Sequence, residues 1–143
     1  MTCSIELYCL IGGIITVVLL PFYKKLRNPK IYWLILFLTS IVAIFGYLSL
    51  NQPCLQMKNG DAASWLFLPF LFMILFGSLR KLFLIIFRNE PIFAIQFAKS
   101  LNQGEYRELH LGDILFTIIC FLGPFLLKEI IEYYVNNHFF TLV

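Results

Sequence analysis

His110 and Asp113 stand three residues apart, with Glu105 and Glu108 just upstream. On a helix, positions i and i+3 share a face, so an imidazole and a carboxylate at this spacing could hold a metal ion or act as a base and its orienting partner. The same pattern has a plainer chemistry, because the helix dipole favours an acid in the first turn. The plainer reading is the expectation: the chain has two histidines, and His138 falls at the opposite end of the expected topology. No HExxH, GxSxG or phosphate-cradling glycine loop is present. The pair is therefore expected to be a polar cluster at a helix entrance, with no metal, no cofactor and no enzyme activity.

The four cysteines contain no CxxC, the arrangement on which small thiol oxidoreductases of membranes rely. Cys3 and Cys54 fall on the same expected side, where an oxidising compartment would allow a disulfide between them. Cys9 and Cys120 lie inside apolar runs and should behave there as small apolar residues.

Helices in a bilayer associate through small residues and polar contacts, since lipid leaves no hydrophobic drive between them. Candidate packing stripes follow. The first apolar run offers Cys9, Gly12, Gly13 and Thr16, and the second offers Thr39, Ala43 and Gly46 at i, i+4, i+7. In the last, Asp113, Thr117, Cys120 and Pro124 follow at i, i+4, i+7, i+11. Pro69 and Pro124 are expected to kink their helices, since proline removes a backbone donor and crowds the preceding turn.

These residues need long apolar elements to hold them, and the composition supplies such elements. The chain of 143 residues is 60% hydrophobic and 13% charged, against roughly 45–50% apolar and about 25% charged in soluble domains. Its mean hydropathy is +0.84. A disordered chain, a small disulfide scaffold and an ordinary soluble domain are all excluded. Crossing the hydrocarbon layer takes about 20 apolar residues. Residues 5–23, 31–50, 62–81 and 109–127 meet or approach that length, and none shows the period-2 alternation of a barrel strand.

Charge sets the expected orientation. Lys24, Lys25, Arg27, Lys30, Arg80, Lys81, Arg88, Lys99 and Arg107 lie on one side of these runs, and Lys58 and Lys128 on the other, which is nine against two. The positive-inside rule then places both termini and the loop at 51–64 outside the cytoplasm. The first run has Glu6 before it and basic residues after it, so it is expected to be retained rather than cleaved as a signal peptide. Between the third and fourth runs, Pro91 could open a short helix over 91–103, with Phe93, Phe97 and Leu101 on one face lying along the inner leaflet.

The expectation is an all-α, polytopic membrane protein of one domain: four transmembrane helices and one interfacial helix. No ionisable residue falls near a midplane, which argues against a proton-coupled exchanger. The functional expectation is a small non-enzymatic protein of a bacterial inner membrane. It would act by binding another membrane protein, or itself, through a helix face, as immunity-type proteins and accessory subunits do. An oligomeric channel or small transporter is the second reading, and a membrane-embedded enzyme the third. No nucleic-acid partner is expected.

Overall fold

The computed structural model describes residues 4–50, 52–58, 60–94 and 110–140, with the backbone alone for 135–140. In chain order the elements are α1 (Ile5–Leu19), α2 (Tyr23–Leu26), α3 (Pro29–Leu48), β1 (Gln56–Met57) and β2 (Gly60–Asp61). A 3-10 helix (Ala62–Phe67), α4 (Leu68–Phe87) and α5 (Leu111–Phe140) complete it. The protein is mostly helical. Three helical stretches are long and apolar enough to cross a membrane: Pro29–Leu48, Ala62–Phe87 and Leu111–Tyr134.

The first expected span, 5–23, forms a helix shorter than its apolar run. α1 has 15 residues, about 22 Å at 1.5 Å per residue, against a hydrocarbon layer of about 30 Å. It stops at Leu19 because Pro21 follows, which has no N–H to continue the ladder and crowds the preceding turn. The expected span of 62–81 also shifts. It begins as a 3-10 helix, and α4 runs on through Arg80 and Lys81 to Phe87. The Arg80 guanidinium is engaged by Glu90, so this charge does not end the helix. The span expected at 109–127 continues to Phe140 and carries Lys128 inside it.

Proline acts differently at its two expected sites. Pro69 occupies the first turn of α4, where no N–H is needed, so it marks the change from 3-10 to α-helix rather than a kink. Pro124 lies inside α5. Elsewhere proline opens a helix: Pro29 starts α3 behind an Asn28 cap whose side chain accepts the Lys30 N–H at 3.1 Å.

α4 is central and touches α1, α3 and α5. Its Phe72, Phe76 and Phe83 form the main core with Phe116 of α5, Tyr23 of α2 and Phe93. A smaller cluster at the other end joins Leu55, Ala62 and Ala63 to Ile5 and Tyr8 of α1. The interfacial helix expected at 91–103 does not form over its described part: Pro91–Ala94 are non-helical, and Pro91, Ile92 and Phe93 are buried. Phe93 stacks on Phe76 at 6.3 Å and meets the Tyr23 ring edge-on at 4.7 Å, so it belongs to the core instead of a membrane surface. Residues 95–103, with Phe97 and Leu101, lie outside the described residues.

Candidate functional sites at the two ends of α5

α5 carries one buried carboxylate near each end, and each receives a segment of chain that is not α-helical. At the basic end, Asp113 is fully buried. Its Oδ1 accepts the Ile92 N–H at 2.9 Å and its Oδ2 accepts the His110 N–H at 3.0 Å. The second bond is the reach-back half of a capping box, from the third helical residue to the backbone of the cap. One turn on, Thr117 Oγ1 accepts the Ala94 N–H at 2.8 Å and donates to the Asp113 carbonyl at 2.7 Å. Four residues of helix rise about 6 Å and two residues of extended chain about 6.6 Å. Positions 113 and 117 therefore match positions 92 and 94 as a ladder. Non-helical backbone at membrane depth needs such internal partners.

Two arginines hold the start of the same segment. Arg80 grips Glu90 through Nε at 2.9 Å and Nη2 at 2.5 Å, and its Nη1 donates to the Arg27 carbonyl at 3.1 Å. Arg27 donates to the Pro91 carbonyl at 2.9 Å, with its Nε 3.9 Å from Glu90. The Arg80 hydrogen bonds hold the Glu90 carboxyl below its ordinary range against the desolvation that opposes them, and the Arg80 and Arg27 charges add to the effect.

At the hairpin end, Lys128 is 5% and Glu132 8% exposed. The Lys128 ammonium lies 2.8 Å from Glu129, 3.2 Å from Glu132 and 5.5 Å from the Trp65 ring centroid. Glu132 accepts the Asp61 N–H and, at 3.3 Å, the Ser64 hydroxyl. Gly60 stands at φ +125°, where a side chain would be strained and would also collide with the Glu132 carboxylate. Asp61 itself caps the 3-10 helix by accepting the Ala63 N–H at 2.9 Å.

His110 and Asp113 thus meet through a backbone N–H, in a helix cap. Among the described residues no group of three His, Cys, Asp or Glu side chains could hold a metal ion. Cys54 is disulfide-bonded; Cys3, its expected partner, lies outside the described residues. Cys9 and Cys120 are free thiols, Cys120 buried and Cys9 half-buried against the hairpin-end cluster.

Gly12 and Thr16 of α1 and Thr39, Ala43 and Gly46 of α3 are buried. Gly12 and Gly46 lie against the 3-10 helix: a methyl on Gly12 would strike the Trp65 carbonyl, and one on Gly46 would sit 2.8 Å from Leu66 Cβ. The hydroxyls of Thr16 and Thr39 donate to carbonyls of their own helices, not across an interface. Gly13 is apart from this packing, with open space where a side chain would stand.

Lys128, Glu132, Arg80 and Glu90 were not legible as site residues. One signal for the first two is an i, i+4 pair of opposite charge followed by further apolar and aromatic residues through Tyr134, a pattern that continues a helix rather than ending it. Nothing in the pattern pairs Arg80 with Glu90. No protein-family model, curated protein or solved structure matches this chain.

Proposed function

We propose that this protein crosses a bacterial inner membrane four times, with its basic end in the cytoplasm, and acts by binding another membrane protein through the outer face of α1. In this reading it catalyses no reaction. α1 and α2 supply the fourth crossing between them. Ile5 packs into the hairpin-end cluster and Leu26 into the core at the basic end. The disulfide at Cys54 supports the orientation, because disulfides persist on the oxidising side of the membrane.

Gly13 carries the binding proposal. It alone among the described glycines has no atom within 4 Å of the place its side chain would take. It lines a shallow groove on α1 with Cys9, Leu10 and Val17, and a small residue on an outward helix face lets a second helix approach closely. Asp113, Thr117, Glu132, Arg80 and Glu90 are meanwhile engaged in holding the chain's own segments.

A photo-crosslinking residue at Leu10 or Val17 should trap one stoichiometric membrane protein in intact cells, and Gly13→Leu should abolish the product. The same residue at Ile85 on α4 should trap none. Crosslinks of equal yield from all three positions would remove the proposed face, and solute flux through proteoliposomes of the pure protein would favour a channel. Asn28→Cys should resist an impermeant maleimide and Lys58→Cys should react; the reverse pattern would invert the orientation.

A further inference from the structure

A cleft of about 330 Å³ opens between α3 and α4 near the basic end, lined by Tyr32, Trp33, Ile74, Ser78, Arg80 and Lys81 among others. Gly77 makes the room, because a methyl there would occupy the place of the Tyr32 hydroxyl, which donates to the Met73 carbonyl at 3.0 Å. Two of the lining groups are unexplained by the fold. Arg80 is committed to Glu90, but Lys81 beside it is exposed and has no acidic partner among the described residues. The Ser78 hydroxyl has no hydrogen bond among the described residues either, whereas Thr16, Thr39, Ser40 and Thr117 each donate to a carbonyl of their own helix.

Depth makes the lysine notable. Phe87 at the end of α4 lies against Gly112 in the first turn of α5, so the two ends are level. Lys81 is six residues, about 9 Å, back from Phe87 along α4 and level with the first turn of α3, since Pro29 lines the same cleft and Tyr32 reaches Met73. Exposed Ile74 lies on one side of it along α4, and exposed Leu82 and Ile85 on the other. A cation level with the start of a membrane-crossing helix, with apolar residues on either side of it, lies at the headgroup boundary. The anion that a bilayer offers there is a lipid phosphate, and basic pockets between helices at the cytoplasmic side suit anionic headgroups.

We propose that this cleft binds the headgroup of an anionic phospholipid. The phosphate sits against the Lys81 ammonium and the Ser78 hydroxyl, and a chain lies along Ile74 and the exposed Trp33 ring. The site rests on the membrane placement of α3 and α4 and is independent of any protein partner.

The test uses full-length protein in mild detergent, given equimolar phosphatidylglycerol and phosphatidylcholine, with retained lipid counted by native mass spectrometry. The wild type should retain phosphatidylglycerol in preference. Lys81→Gln should reduce the ratio about fivefold, the effect of one lysine near a membrane surface. Lys81→Arg should keep it, Ser78→Ala should lower it less, and Lys58→Gln at the hairpin end should leave it unchanged. Equal retention by the wild type, or an unchanged ratio in Lys81→Gln, would overturn the site. So would displacement of the lipid by millimolar inorganic phosphate, which would mark a phosphate site and not a lipid site. Flotation with vesicles separates the two levels: protein that floats without lipid preference refutes the cleft alone, and protein that does not float refutes the membrane placement as well.

Discussion

The two ends of α5 solve one problem with different electrostatics. Each takes in non-helical chain and satisfies its backbone N–H groups with a buried carboxylate: Asp113 for Ile92 and His110, Glu132 for Asp61. The carboxylates are 132 − 113 = 19 residues apart, about 28 Å along a helix and close to the thickness of the hydrocarbon layer. Asp113 sits in the first turn, where the positive end of the helix dipole stabilises an anion. Glu132 lies toward the other end, beyond the reach of that help, and Lys128 one turn before it supplies the positive charge. At Glu132 that cation is part of the arrangement, set one turn back on the same helix.

The largest expected effect tests that dependence. Glu132→Leu leaves the buried Lys128, among the described residues, with only the exposed Glu129 and strips the acceptor from Asp61 and Ser64, which should cost about 3–5 kcal/mol. Adding Lys128→Met removes the stranded cation and should recover a good part of the loss, read as the thermal midpoint of detergent-solubilised protein. No recovery in the double variant would mean that the lost backbone acceptor dominates, and the two ends would then be alike.

Asp113→Ala should cost about 2–4 kcal/mol, because it orphans the buried Ile92 and His110 N–H groups. Amide exchange should show the difference directly, with Ile92 and His110 losing protection while Asp61 keeps it. Simultaneous exposure of both ends would show that the carboxylates act as one cooperative unit and not as two clasps.

The helices were legible because their apolar runs have about the length that a bilayer crossing takes and lack the alternation of a barrel strand. The returning segments were not. The helix-like spacing of Phe93, Phe97 and Leu101 suggests an interfacial face, yet Phe93 is in the core because Asp113 and Thr117 hold the N–H groups of Ile92 and Ala94 in non-helical chain. That outcome depends on pairing across 21 and 23 residues, to which local periodicity is blind. The small residues Gly12 and Gly46 could be picked out by type and spacing. That they face the carbonyls of a 3-10 helix could not, since nothing in Ala62–Phe67 distinguishes it from the start of an ordinary apolar helix.

Adjacent glycines sharpen the hairpin end further. Gly12→Ala puts a methyl against the Trp65 backbone carbonyl, which has no side-chain freedom to give way, and overpacking of this kind costs about 1–3 kcal/mol. Gly13→Ala enters open space and should be neutral or stabilising by up to about 1 kcal/mol through helix propensity. Similar midpoints for the two variants would mean that the 3-10 helix does not press on α1.

The smallest effect belongs to the basic end and appears with pH. Because Arg80 holds the Glu90 carboxyl below its ordinary range, the unfolded chain takes up that proton more readily than the folded one. The ion pair therefore contributes fully at neutral pH, and its contribution falls away as pH drops through the ordinary carboxylate range to the depressed value. Glu90 is about a third exposed, so solvent screening limits the contribution to about 1 kcal/mol or less. Glu90→Gln should lower the midpoint slightly at pH 7 and should converge with the wild type in acid. It should also speed amide exchange at Ile92, two residues on, without touching Asp61. A gap between the two proteins that stays constant from pH 7 to pH 3 would show that Glu90 acts by shape and not by charge. The basic end would then hold its returning segment through Asp113, Thr117 and the Arg27 hydrogen bond to Pro91.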